Sequence, residues 1–103
     1  MVLVEDGNLV LDAAQRAVTR AGRSLRLTAR EYDLLHYLMT HPGVVLSRQD
    51  LLREVWGWSF GDDSTVTVHV RRLREKVEDD PARPVHLVTV WGVGYRWEPS
   101  VAG

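Results

Sequence analysis

Arg71, Arg72, Arg74 and Lys76 fall within six consecutive residues, and Glu75 is the single acid of the stretch 64–77. Thr65, Thr67, Val68 and His69 stand just ahead of them. These side chains have the chemistry to meet a DNA duplex. An arginine donates two hydrogen bonds to guanine O6 and N7, and threonine or valine meets a thymine methyl or a base edge. Arginine and lysine at the flanks neutralise phosphates. A run of like charge is also how a solvated helix face looks, so the surrounding elements decide its meaning. No catalytic pattern competes with it. His36, His41, His69 and His86 are scattered without H-E-x-x-H spacing. The chain has no glycine-rich phosphate loop, no G-x-S-x-G elbow and no cysteine. These residues imply no enzyme, cofactor or metal.

The cations share a face only if they stand on a helix, and the spacing predicts one over 64–77. Val66, Val70, Leu73 and Val77 recur at i, i+4, i+7 and i+11, an apolar stripe about 60° wide. Asp62, Asp63 or Ser64 can cap its start, and Glu78-Asp79-Asp80-Pro81 ends it. Two shorter helices precede it. Thr28-x-x-Glu31 is a capping box with Leu27 and Tyr32 as its hydrophobic staple. Leu34, Leu35, Leu38 and Met39 follow at helical spacing, and His41-Pro42-Gly43 stops that helix. Ser47-x-x-Asp50 repeats the device with Leu46 and Leu51. Leu51, Leu52, Val55 and Trp56 then predict a stripe of about ten helical residues, closed by Gly57.

Strand signals lie at both ends. Val2-Leu3-Val4 and Leu9-Val10-Leu11 flank the turn cluster Glu5-Asp6-Gly7-Asn8. Ala17-Val18-Thr19 and Ser24-Leu25-Arg26-Leu27 flank Ala21-Gly22. Leu87–Val90 and Tyr95–Trp97 are the arms of a hairpin around residues 91–94. The order is sheet, three helices, hairpin, an α+β domain. A short helix followed by a cation-rich one is helix-turn-helix logic. The hairpin after it is a wing, with Thr89 and Trp91 near its turn. Tyr95 and Trp97 read as core residues.

Composition sets the bounds. With 103 residues, 45% of them hydrophobic and 26% charged, the chain reads as one globular domain over 1–103. The absence of cysteine excludes disulfides and thiolate metal sites. No apolar run approaches the roughly 20 residues of a membrane span, and the acidic start lacks the basic region of a signal peptide, so a cytoplasmic protein is expected. The formal net charge of −1 runs against the usual balance of a nucleic-acid binder. That sum hides a gradient. Residues 1–63 carry a net −2, residues 64–103 a net +1, and residues 64–77 alone a net +3. Modest affinity is expected for such a domain alone.

Four stretches together resemble one family. They are Thr65–Val77, Leu27-Thr28-x-x-Glu31-Tyr32-x-Leu34-Leu35, Leu46-Ser47-Arg48-x-x-Leu51-Leu52-x-x-Val55-Trp56-Gly57, and Thr89-Val90-x-Gly92-Val93-Gly94-Tyr95-Arg96. In order and spacing they are similar to the OmpR/PhoB-type response-regulator DNA-binding domains, winged helix-turn-helix proteins. The resemblance implies an N-terminal four-stranded antiparallel sheet, three helices and a C-terminal wing over 87–97. It implies that helix 64–77 enters the major groove, with Arg72 as leading base reader and Thr67 beside it. Arg48, Trp56, Thr65, His69, Arg71, Arg74, Thr89, Trp91 and Arg96 are the further contact candidates. It also implies head-to-tail pairs on direct repeats, an RNA polymerase contact through loop 58–63, and an upstream receiver domain answering a sensor kinase, for which this chain has no room.

Three positions depart from the family's usual pattern. Ser64 stands where an arginine is common, Thr67 where an aspartate is common, and Trp91 where the wing often has arginine. Thr67 is permissive where a carboxylate would select cytosine N4. Trp91 has no cation to place in a narrow minor groove. One alternative reading keeps the winged helix but gives it a protein partner, anchored by Trp58, Phe60 and Trp91.

Overall fold

The computed structural model describes residues 3–59 and 61–100; Val2 of the first strand signal and Phe60 of the aromatic trio lie outside them. Four short strands open the fold: β1 (Leu3–Asp6), β2 (Leu9–Asp12), β3 (Ala17–Arg20) and β4 (Arg23–Ser24). They pair antiparallel in the order β1-β2-β3-β4. Alternation decides the faces: Leu9 and Leu11 are buried while Val10 and Asp12 are half-buried, and Val18 joins the core from β3. The first turn is tighter than the four-residue cluster anticipated. Asp6 pairs with Leu9, so only Gly7-Asn8 lie between. The last strand is shorter than anticipated. β4 ends at Ser24, and the Leu25–Leu27 segment leaves the sheet after Leu25 N donates to Val18 O. Leu27 and Thr28 are already committed to starting the next helix.

That helix, α1 (Ala29–Thr40), begins at the anticipated capping box. Glu31 N donates to Thr28 Oγ1 at 3.2 Å, and Thr28 N donates to Glu31 Oε1 at 2.9 Å. Its buried stripe is Tyr32, Leu34, Leu35, Leu38 and Met39. A two-residue strand, β5 (Leu46–Ser47), follows, and the Ser47 box starts α2 (Arg48–Leu51). After one turn this helix widens into a π-helical turn, Leu52–Trp56, before Gly57 closes it at φ +73°. The length matches the sequence reading; the change of pitch does not. The wider turn lets Leu51, Leu52 and Trp56 all reach the core, and Arg30 Nη1 donates to the Val55 carbonyl at 2.8 Å.

The third helix, α3 (Ser64–Val77), buries Val66, Val70, Leu73 and Val77 as its period demands. Asp63 is its N-cap without a side-chain bond, and Asp62 instead accepts from Ser64 N at 2.9 Å. The hairpin consists of β6 (Leu87–Val90) and β7 (Gly94–Trp97). With β5 it makes a second sheet in the order β5-β7-β6, so the wing is joined to the start of α2. Trp97 is 1% exposed and ties the two ends together, its Nε1 donating to Asp6 Oδ2 at 2.7 Å. The result is the α+β arrangement expected: an antiparallel four-stranded sheet, three helices and a C-terminal hairpin.

Candidate nucleic-acid interface

The apolar stripe of α3 faces the core, so its opposite side is turned outward. Ser64, Thr67, Arg71, Arg72 and Glu75 are exposed there, while Val68 and His69 are half-buried. Arg71 and Arg72 have no ion-pair partner among the described residues. Two arginines with ten potential donors between them therefore stand free on one helical face.

The other two cations of the cluster are turned inward. Arg74 Nε donates to Leu87 O at 2.9 Å and its Nη2 to Thr89 Oγ1 at 2.8 Å. Its guanidinium lies 5.7 Å from the Tyr95 ring centre, and burial lowers its pKa. Lys76 Nζ donates to Glu31 Oε1 and to Arg26 O, each at 2.6 Å. Glu31 is 2% exposed. Burial alone would push its carboxyl up, but the bonds from Lys76 and Thr28 more than offset this and hold it below the usual glutamate range. The local excess of +3 along the sequence is thus smaller at the surface. Its outward part is Arg71 and Arg72 against Glu75. The same bonds occupy Thr89, the acceptor for Arg74.

The remaining candidates surround this face. Arg48 is the exposed first residue of α2, and its Nε lies 3.6 Å from Asp63 Oδ2 at the start of α3. Gln49 Nε2 donates to the same carboxylate at 3.3 Å, so Asp63 fixes the angle between the two helix starts. Trp56 is in the core rather than on the surface, 9% exposed, and meets His69 edge-on with ring centres 5.1 Å apart. His69 Nδ1 is 2.7 Å from the Thr65 carbonyl. A carbonyl only accepts, so Nδ1 carries the proton and Nε2 is the free edge of the ring. Thr65 is half-buried beside it. Arg96 is paired with Glu98.

The wing is held rigidly. A Cβ at Gly94 would sit 2.0 Å from Leu46 O and 2.7 Å from Ser47 Cα, so only glycine lets β7 approach β5 this closely. Glu78, 3% exposed, accepts from the amides of Val85, His86 and Leu87 and fixes the loop that leads into β6. The sequence reading gave Glu78 only a helix-ending role. Its position seven to nine residues before its donors offers no local signal. For Gly94 a signal existed: a glycine at the head of a strand of bulky residues marks a close backbone approach.

Residues 22–97 match the family described as "Transcriptional regulatory protein, C terminal". The chain is 48% identical over 97 residues to the sensory transduction protein RegX3 of Mycobacterium leprae, covering 93% of this chain and 49% of that protein. It is 47% identical to RegX3 of Mycolicibacterium smegmatis, covering 93% and 42%. The chain therefore spans about half the length of these curated relatives. Among solved structures, it is similar to the Klebsiella pneumoniae RstA DNA-binding domain in complex with the RstA box, at TM-score 0.89 and 32% identity, covering 97% of this chain and 100% of that one. It is also similar to the Thermotoga maritima response regulator DrrB, an OmpR/PhoB homologue, at TM-score 0.86 and 33% identity, covering 94% and 44%.

Proposed function

The chain belongs to the family of transcriptional regulatory protein C-terminal domains, OmpR/PhoB-type winged helices that regulate transcription by binding DNA, and from that premise we propose how its own residues do so. The family is a DNA-binding one and not an enzymatic one. In this reading α3 lies in the major groove of double-stranded DNA. Arg72 reads a base edge, with Thr67 beside it as a permissive neighbour. Arg71 and Arg48 hold phosphates on either side. Trp56, Thr65 and His69 form the floor that sets the helix angle, and the free Nε2 edge of His69 is left for the groove rim. Arg74, Thr89 and Arg96 act as positioning residues for the wing. The observation that carries the proposal is the pair Arg71 and Arg72: exposed, without ion-pair partners among the described residues, on the one helix face that no other element covers.

The finer partners belong to the same proposal. The relatives are about twice as long as this chain, which supports a receiver domain and a sensor kinase acting through the full-length regulator. With few phosphates in reach of a single copy, tight binding calls for head-to-tail pairs on direct repeats. Trp58, 47% exposed in the connection 58–63, suits a protein contact there, with RNA polymerase as its partner. No helix among the described residues is long and apolar enough to cross a membrane, in keeping with a cytoplasmic regulator. Selection from a random duplex pool tests the proposal. Enrichment of a direct repeat with half-sites about one helical turn apart is expected. No enrichment would overturn it.

A further inference from the structure

The wing ends in an apolar point. Val93 N donates to Val90 O at 3.0 Å and Gly92 has φ +78°, the signature of a type II turn with Trp91 at its corner. Trp91 is 89% exposed and Val93 56%. Arg96 is the one charged residue of the wing, 87–97, and Glu98 pairs with it. Arg74, beneath the wing, is bound to Leu87 and Thr89. The tip therefore offers no cation to DNA. It is nevertheless a fixed feature, because Gly94 locks β7 against Ser47 and Arg74 locks β6 against α3. Arg48 borders the same surface depression as Thr89 and Trp91. An exposed cation, 3.6 Å from Asp63, and an indole thus line one depression, which suits one nucleic-acid strand: phosphate for Arg48, adjoining sugar edge for Trp91.

Resting on the reading that α3 occupies the major groove, we infer that Trp91 is a specificity-determining residue that reads DNA shape through apolar contact. The indole presses on sugar edges in the minor groove beside the helix contact. An A-tract groove is too narrow to admit it, whereas a flexible pyrimidine–purine step opens readily under an apolar wedge. The chain therefore prefers sites flanked by flexible steps, the reverse of what a groove-inserting arginine favours. Because no charge is involved, this contribution does not fall with salt.

The test uses two duplexes with the same selected core, one flanked by an A-tract and one by TA and CA steps. Wild type, Trp91→Ala and Trp91→Arg are titrated on both over a salt series, with thermal melting to check folding. Trp91→Ala is expected to lose roughly tenfold on the flexible-flank duplex, the scale of one aromatic contact to nucleic acid. It should change little on the A-tract duplex and keep the wild-type salt slope. Trp91→Arg should reverse the flank preference and steepen the slope. Equal binding by wild type and Trp91→Ala on both duplexes overturns the inference while leaving the parent reading intact. So does a Trp91→Ala variant that binds DNA normally but fails to activate transcription with purified polymerase, which would assign the tip to a protein. Failure of wild type to prefer the core over random DNA overturns the parent reading instead.

Discussion

Arg71 and Arg72 differ from Arg74 and Lys76 in almost nothing that a sequence displays. They are neighbours on one helix, and all are cationic. Yet the first two face solvent without ion-pair partners among the described residues, while the last two are bound to Leu87, Thr89, Arg26 and Glu31. The difference arises from angle and length. Arg74 and Lys76 flank the buried stripe that ends at Leu73 and Val77, so their long stems run along the core and their heads meet groups of other elements. Arg71 and Arg72 point the other way. A charge count along the chain therefore overstates what a ligand sees. Two cations hold α3 in place, and two face outward.

That contrast can be broken from either side. The largest effect is expected at the junction that both depend on. Gly94→Ala must move β7 away from Leu46 and Ser47, and should cost about 3 kcal/mol of stability, the upper range of overpacking a tight contact. Thermal melting measures it, and an unchanged melting temperature would mean that the wing is not locked to α2. Lys76→Met comes next. It leaves the buried Glu31 carboxylate without its half-exposed cation, at a cost of roughly 2–3 kcal/mol. Among variants that remain folded, the salt slope of DNA binding should hardly change. A lost slope with unchanged melting would show that Lys76 faces DNA.

Arg74→Ala is smaller, about 1–2 kcal/mol for two hydrogen bonds to the base of the wing. It should also erase the wing's share of a hydroxyl-radical footprint. Acid gives a further check on the inward cations. Burial pushes Asp6 and Glu31 up, but hydrogen bonds outweigh it and leave both below the usual carboxylate range. Carboxyls depressed on folding contribute stability above their unfolded values, and that stability is lost as pH falls through the folded ones. Denaturant titrations between neutral pH and about pH 3 should show this decline. Glu31→Gln, less stable at neutral pH, should show a shallower one.

Much of this was legible because it is local. The capping boxes at Thr28 and Ser47 close over three residues, and the α3 stripe repeats within a turn, so residue types suffice to place them. Strand ends and partners were not legible. Ser24–Leu27 has strand-forming residues, but Leu27 and Thr28 serve α1, and the chain leaves the sheet early. β5 exists only because Leu46 meets Tyr95, nearly fifty residues away. For Trp56 the stripe Leu51, Leu52, Val55 and Trp56 pointed to the core, while the family resemblance made it a contact candidate; it is 9% exposed. The widened turn after Leu51 puts it in the core. The inward bonds of Lys76 span 45 and 50 residues, beyond the reach of any spacing rule.

The division of labour within α3 is tested most directly by titrating wild type, Arg72→Ala and Arg71→Ala on a selected duplex and on a scrambled one across a salt series. Arg72→Ala should lose about 1–3 kcal/mol on the selected duplex and much of the preference between the two. Arg71→Ala should weaken both duplexes alike and reduce the slope of log K against log salt by roughly 0.9. Neither should alter the melting temperature. If both variants bind both duplexes as wild type does, the free arginines are a solvated face and the account of the interface is wrong.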